Sequence, residues 1–485
     1  MTRACDLLVI GGGINGAGIA RDAAGRGLSV TLVEKADLAS ATSSASSKLI
    51  HGGLRYLEQY EFRLVAEALA EREVLLRVAG HLARPLQFVM PHVPELRPRW
   101  VIRTGLFLYD HLTRRSLLRA SRAVRLDRPP YDAGLRSELK HGFVYSDCRV
   151  DDARLVLANT VDAAERGVRV LVRTECLSAR RETDHWLARF SSGESLRARA
   201  IVNAAGPWVK EVLNERLGQP SDDAVRLVKG SHVVLPRLYE GEHAFLLQND
   251  DRRVVFMIPF EDRFTLVGTT DVPHEGDAAL AEASAAEVEY LCRAAGRYLA
   301  QPPRASQVLW RFAGVRPLYD DGSADPSAVT RDYTLRLDAP GGAPPVLSVF
   351  GGKITTFRRL AEQALQRLAQ YFPAMGGAWT AKTPLPGSDF ADREEARREL
   401  LARYPRLPQE ILRHVFRRHG ARASQVLGDG DMGEHYGAGL TEREVRHFVA
   451  CEWARTAEDV LWRRSKAGLH LDEGQRGRVE RALGR

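Results

Sequence analysis

The chain has 485 residues, with 70 lysines and arginines against 62 aspartates and glutamates, a formal net charge of +8 at pH 7. That length supports two or three structural units with a sizeable core. No apolar run of about 18 residues or more is present, so no membrane-spanning helix is expected. Five cysteines (Cys5, Cys148, Cys176, Cys292 and Cys451) are scattered without a C-x-x-C pair, which argues against a zinc site or a disulfide framework. They read as reduced, packed thiols of a cytosolic protein, and the early start of the first strand leaves no room for a signal peptide.

Residues 7–10 are an apolar run that enters a turn spaced G-x-G-x-x-G at Gly11, Gly13 and Gly16. Alanines and Ile19 continue at helical spacing, residues 25–27 break the helix, and 30–33 are apolar again and end on Glu34. Strand, turn, helix, strand and acid in this order predict a dinucleotide site. The first glycine permits the tight turn, the second lets backbone reach a pyrophosphate, and the third brings the helix close to the sheet. Glu34 stands where a ribose hydroxyl needs an acceptor, and the helix N-terminus offers N–H groups to the diphosphate. The spacing recurs at Gly428, Gly430 and Gly433. No strand precedes that second match and Asp429 and Asp431 would repel phosphate, so it reads as a loop.

After Glu34 the chain runs through ATSSASSKLIHGGLRYLE, small polar residues suited to wrapping a pyrophosphate and a flavin edge, which favours FAD over a nicotinamide cofactor. Residues 62–78 form an amphipathic helix by their i, i+3, i+4 spacing. Between Arg97 and Arg128 nine arginines and two aspartates leave a net +7, interleaved with Trp100, Leu106, Phe107 and other apolar residues. Such a segment suits an anionic membrane surface, or equally a buried helix with a solvated basic rim. Nucleic acid is disfavoured because no binding module accompanies the charge. A helix at 152–165, strands at 168–172 and 200–203, and a tight turn at 204–208 follow. Residues 229–270 are strand-rich and read as an antiparallel sheet over the nucleotide domain. A strand at 347–350 ends on Gly351, Gly352 and Lys353 before a helix at 355–371, which could point its N-terminus at a flavin. Residues 380–392, with prolines and a glycine, read as a linker, and 393–485 as mostly helical.

Several long motifs together carry a resemblance: VIGGGINGAGIARDAAGRGLSV, ATSSASSKLIHGGLRYLE, YSDCRVDDARLVLAN, NAAGPWVK, KGSHVVLP, VGTTDV, GVRPLYDD, VTRDYTL, SVFGGKITTFRRLAE and HFVACEWARTAEDVLWRR. The chain closely resembles the FAD-dependent glycerol-3-phosphate dehydrogenases of aerobic bacteria over nearly its whole length. The resemblance implies an α/β fold: a Rossmann-type FAD-binding domain (1–80, 145–225, 310–378), an antiparallel-sheet substrate or cap domain (81–144, 226–309) and a C-terminal helical domain (379–485). It implies noncovalent FAD, oxidation of glycerol 3-phosphate to dihydroxyacetone phosphate, and a membrane quinone as acceptor. It also implies peripheral attachment to the inner face of the cytoplasmic membrane. The sequence leaves the number of subunits open, a homodimer being one option.

The cofactor candidates are Gly11, Gly13, Gly16, Glu34, Thr42, Ser43, Ser47, Lys48, Gly206, Gly352, Lys353, Ile354 and Thr355. A phosphate dianion calls for planar arginine donors and a lysine, and Arg55, Arg316, Arg331 and Lys353 fall in the resembling motifs, with Tyr56, Thr269 and Thr270 as hydroxyl donors. His51, His232 and Arg316 are the catalytic candidates. A histidine, with an unperturbed pKa of about 6.5, is the natural proton acceptor, and arginine as the base is disfavoured because guanidinium does not readily lose a proton. No metal site is expected. Two rivals stand beside this reading. One is a glycerophosphate oxidase using oxygen, a group that carries an insertion not seen here. The other is a non-catalytic flavin-binding sensor, which has no need of Arg55, Arg316 and Lys353.

Overall fold

The computed structural model describes residues 3–484 apart from 94, 114–116, 252 and 321–331. Its first sheet is built on the apolar runs of the nucleotide motif. Arg3–Ile10 pairs in parallel with Val30–Val33 on one side and Ser195–Asn203 on the other, and Val30–Val33 pairs in parallel with Arg169–Leu171. Val346–Phe350 extends the sheet beyond Ser195–Asn203, and Thr334–Asp338 closes that edge antiparallel. All four residues of Val30–Val33 are buried, as a parallel strand covered on both faces requires. The helix Ile14–Gly25 packs on Asp152–Glu165 and Phe357–Leu368.

The helix Phe62–Val78 has the bounds its periodicity predicts and turns Leu64, Val65, Ala68, Leu69, Leu75 and Leu76 inward. Asp152–Glu165 also starts as expected, because the Asp151 carboxylate caps it by accepting from Arg154 N–H at 3.2 Å. The expected helix at 355–371 forms as Phe357–Leu368 with a 3-10 turn, Ala369–Tyr371. The turn at Gly428–Gly433 is irregular, as expected for the second glycine match.

A second sheet lies over the first. Its spine is Ala224–Pro236, paired antiparallel with Trp310–Asp320 and Phe264–Gly268, followed by Val254–Phe260 and Ala244–Gln248. It continues through Ala83–Pro91 and His141–Val150 to the short strand Leu49–Ile50. The helix Arg99–His111 lies against this layer with Ile102, Leu106 and Tyr109 in its core. Its other side leaves Trp100 72% and Phe107 53% exposed. Packing bears out the buried-helix reading on one face of this helix and leaves the other face exposed.

Beyond Phe357–Leu368 the segment 380–392 is irregular but not loose: Leu385 N–H donates to Val78 O at 2.7 Å, and Leu385 and Ser388 are buried. The C-terminal region is fastened by largely buried ion pairs to the segment after Val30–Val33 and to the start of the helix Asp152–Glu165. Asp37 binds Arg464 and Arg463, Asp151 binds Lys466, and Arg154 binds Glu452. Among the described residues, His419, His447 and Glu452 bring nitrogen and oxygen atoms within 4.8 Å of one another. Arg154 already donates to Glu452 and to His419 Nδ1, so a cation serves that group. Of the five thiols Cys148, Cys176 and Cys292 are buried, while Cys451 is exposed, against the expectation that all are packed.

This construction predicts acid sensitivity. Burial depresses His81, His232 and His419, and holds His243 and His447 down to about 4 and His414 to about 2. The unfolded chain takes up protons near pH 6.5 that the folded chain refuses, so stability is full above that pH and falls below it. Each such buried histidine withdraws up to about 1.4 kcal/mol per pH unit. Glu444 and Asp151, held near 2 by Arg418 and Lys466, add their loss at still lower pH. Melting curves are expected to be flat from pH 8 to 6.5 and to drop steeply by pH 5. Melting unchanged at pH 5 would contradict the buried, neutral state of these rings.

Candidate functional site

A cavity of about 860 Å³ is lined from both sheets and from the C-terminal helices. At one end stands the glycine turn. Gly11 has φ +111, and a Cβ there would lie 2.5 Å from Ala204 O. A Cβ on Gly16 would lie 1.9 Å from Gly11 O, so the third glycine sets helix against strand and does not itself line the cavity. Gly13 lines it, 3.1 Å from Ser43 Oγ as measured from where a Cβ would sit. Ser43 Oγ accepts from Ile14 N–H at 3.0 Å, which ties the serine-rich wrap to the helix start. Glu34 accepts from Gly12 N–H at 2.7 Å and Ala36 N–H at 2.8 Å, and burial raises its pKa. Each carboxylate oxygen keeps a lone pair for a ribose hydroxyl.

The wrap then crosses to the second sheet. Thr42 Oγ1 donates to Val315 O at 2.6 Å, and Ser47 Oγ meets His232 Nε2 at 2.9 Å. Lys48 is spent internally: its ammonium binds Asp152 at 2.9 Å and Ser44 O at 2.8 Å, 5.0 Å from the Phe312 ring centre. Its charge therefore shapes the wrap from behind. Opposite, Gly351 and Gly352 carry positive φ, and a Cβ on Gly352 would lie 2.6 Å from Asn15 Nδ2. Asn15 Nδ2 donates to Gly351 O at 3.2 Å, while its Oδ1 is buried with no partner among the described residues. Gly206, Ile354 and Thr355 complete this wall, Thr355 Oγ1 lying 3.3 Å from His51 N.

The remaining candidates gather at the other end. Arg316 donates to Asp271, to Thr269 Oγ1 at 3.1 Å and to Thr270 O at 3.2 Å, and keeps about a quarter of its side chain exposed to the cavity side. The Lys353 ammonium stands 4.2 Å from the Tyr56 ring centre, so Tyr56 carries a cation on its face beside any role of its hydroxyl. Thr270 turns away: its hydroxyl is buried, donating to Glu287 and accepting from Ser231 N–H. His51 lines the cavity with its ring 6.4 Å from that of Phe256. His232 is buried and stacked on Phe312 at 4.9 Å. Burial, with Lys48 and Arg316 nearby, holds it neutral, and its Nδ1 has no partner among the described residues. The Arg55 backbone lies in the turn Leu54–Gln59, and Arg331 falls outside the described residues.

Sequence reasoning missed the wall supplied by the C-terminal region. Trp462, Arg463 and Lys466 line the cavity, and Trp462 stacks on Trp310 at 4.6 Å, which in turn meets Phe312 at 4.7 Å. The motif HFVACEWARTAEDVLWRR holds them, but nothing in its chemistry signalled a site more than a hundred residues from Lys353.

The arrangement fits a flavin dinucleotide. Two glycines admit backbone where a Cβ would collide, Glu34 offers an acceptor beside the turn it braces through Gly12 N–H, and Asn15 Oδ1 waits for a donor. Residues 6–358 match the family model described as FAD dependent oxidoreductase. The chain therefore belongs to the family of FAD-dependent oxidoreductases. Residues 378–480 match the model described as the C-terminal domain of alpha-glycerophosphate oxidase. The chain is 54% identical to a glycerol-3-phosphate dehydrogenase of Pseudomonas aeruginosa over 99% of its length and 94% of that protein. It is 52% identical to a D-erythritol 1-phosphate dehydrogenase of Brucella abortus, over 97% of this chain and 96% of that protein. It is 49% identical to the aerobic glycerol-3-phosphate dehydrogenase of Escherichia coli, over 99% and 97%. Among solved structures, a glycerol-3-phosphate dehydrogenase from Bacillus halodurans complexed with FAD matches with a TM-score of 0.74 and 26% identity, covering 99% of this chain and 94% of that one.

Proposed function

We propose that the chain oxidises glycerol 3-phosphate to dihydroxyacetone phosphate and passes the electrons to a membrane quinone. The observation that carries this reading is one cavity that holds the glycine turn at one end and Arg316, Lys353, Tyr56, His51 and His232 at the other. Bound FAD supplies the two-electron acceptor for the substrate's second carbon. Arg316 and Lys353 supply the charge that holds a phosphate dianion, and Thr269 steadies the Arg316 fork. His232 is the favoured proton acceptor for the substrate hydroxyl, because it is neutral and its Nε2 is already poised on Ser47 Oγ. His51 shares the wall and is the other candidate. Trp462 and Trp310 close the far side against water.

The base assignment has a pH signature. Since the His232 pKa is depressed, its proton-accepting form persists well below the usual value of about 6.5. The acidic limb of kcat/KM is expected to lie below pH 6, with His232→Asn lowering kcat by about two decades or more while flavin stays bound. A limb at pH 6.5 that survives in the variant assigns the proton to another group.

Substrate and acceptor are tested together with the purified protein. Glycerol 3-phosphate and D-erythritol 1-phosphate are compared, because relatives of nearly equal identity are named for each. We expect turnover with glycerol 3-phosphate and a soluble quinone analogue, and little peroxide under oxygen. Peroxide in step with substrate consumption would favour the oxidase reading, and a higher kcat/KM for the four-carbon substrate would reassign the specificity.

The membrane contact we assign to the helix Arg99–His111, with its exposed Trp100 and Phe107. No helix among the described residues is long and apolar enough to cross a membrane. Each arginine near an anionic surface contributes about 1 kcal/mol, and this attraction is screened over about 10 Å at 0.1 M salt. Changing Trp100 and Phe107 to serine, and Arg114 and Arg115 to glutamate, is expected to release the protein from anionic vesicles. Turnover with a soluble dye should persist while turnover with a membrane quinone falls. A folded quadruple variant that still sediments with vesicles places the contact elsewhere.

A further inference from the structure

Arg84 and Arg149 face each other directly across the antiparallel pair Ala83–Pro91 and His141–Val150. Side chains so opposed stand about 5 Å apart at Cβ, and like charges there repel. Neither guanidinium has a hydrogen bond or ion pair within the described residues, although each is largely covered. The C-terminal helices add to the charge. The segment before Arg393–Arg403 runs along the start of this strand, with His81 Nδ1 bonded to Ser388 Oγ at 2.6 Å. The far end of Gln409–His419 abuts the same histidine through Gly420. Arg393 lies over the Phe416 ring at 5.2 Å with its Nε buried and unpartnered, and Arg417 binds Glu261. Burial together with Arg393, Arg149 and Arg417 pushes Arg84 down to about 9. Among the described residues, ion pairs from these four guanidinium groups reach only Glu261 and Glu394, with Asp151 and Asp262 acting on Arg417 from further off, so the unpaired charge of the partly covered seam sits at Arg84 and Arg149. None of the four lines the cavity described above.

We propose that this seam between the second sheet and the C-terminal helices is a binding site for a phosphate-type dianion, held between Arg84 and Arg149 with Arg393 closing over it. Uncompensated buried charge is costly, and arginine forks suit tetrahedral oxyanions. A dianion matches the two unpaired guanidinium groups that face each other and would bridge sheet to helices. Inorganic phosphate, a phosphate monoester and a phosphomonoester lipid headgroup share this chemistry.

The test compares holoenzyme of the wild type, R84Q/R149Q and R84K/R149K. Melting is followed during titration with inorganic phosphate at constant ionic strength set by chloride. Competitive inhibition by phosphate against the enzyme's substrate reports the cavity separately. The rise in melting temperature with phosphate is expected to require at least tenfold more phosphate in R84Q/R149Q, while the inhibition constant stays unchanged and R84K/R149K keeps most of the response. A parallel arm uses phosphatidylcholine vesicles with and without phosphatidic acid. Binding that needs phosphatidic acid and both arginines, with no response to free phosphate, identifies a headgroup as the source. A double glutamine variant that responds to phosphate and vesicles as the wild type does overturns the proposal. So does equal stabilisation of the wild type by chloride. If R84Q/R149Q fails to fold, the single variants R84Q and R149Q are each expected to weaken the phosphate response, and an undiminished response in both overturns it equally.

Discussion

Replacing Gly11 with alanine is expected to yield a protein purified without flavin. Two independent costs fall on that one methyl group. The backbone at Gly11 holds φ +111, a region that L-residues rarely adopt, and the added Cβ would stand 2.5 Å from Ala204 O. Neither neighbour can yield cheaply, because Ala204 continues the strand Ser195–Asn203 and Gly11 N–H is tied to Val33 O at 2.8 Å. The turn must shift, and the free N–H groups at the start of Ile14–Gly25 lose their aim at the diphosphate. Flavin absorbance per protein is expected to fall at least tenfold, with helical circular dichroism retained in part. Full yellow occupancy in G11A would refute the role given to this turn.

The second large effect concerns the phosphate end. Arg316→Met and Lys353→Met are each expected to raise KM for glycerol 3-phosphate by one to two decades while FAD remains bound. A charge-assisted contact is worth about 1.5–3 kcal/mol, which sets that range. In Arg316→Met the fork that joins Asp271, Thr269 and the Thr270 carbonyl is also lost, so kcat should drop with it. In Lys353→Met the ammonium above Tyr56 goes, and the effect should lie more in KM. Unchanged kinetics in both variants would remove them from the substrate site.

What the sequence disclosed follows from which forces act locally. The helix Phe62–Val78 was legible because its apolar residues repeat at helical spacing, and Asp152–Glu165, buried on nearly every side, because Asp151 marks its start. The nucleotide turn was legible because its glycines stand at a fixed local spacing, Gly16 packing on Gly11 O, even though Gly11 itself is crowded by the distant Ala204. The strands Ala83–Pro91, His141–Val150 and Trp310–Asp320 were not read. Pro85, Pro91 and Pro317 interrupt two of them, and Asp147 and Arg149 charge the third. Pro85 is tolerated because Ala83–Pro91 pairs along its length with His141–Val150 but meets Ala244–Gln248 only at Phe88 and Val89. The site shows the same division. Individual candidates came from motifs, but their partners are distant: Ser47 with His232, Lys48 with Asp152, Trp462 with Trp310. No local pattern encodes such pairs. A buried helix with a solvated rim was one of two alternatives for this segment, and only packing showed which residues of Arg99–His111 enter the core.

The account stands most directly on one observation, made without any external acceptor. Purified holoenzyme is mixed anaerobically with glycerol 3-phosphate and its visible spectrum followed. The account predicts that the oxidised-flavin absorption bleaches, with one dihydroxyacetone phosphate formed per flavin. Flavin that stays fully oxidised in the presence of excess glycerol 3-phosphate would contradict it.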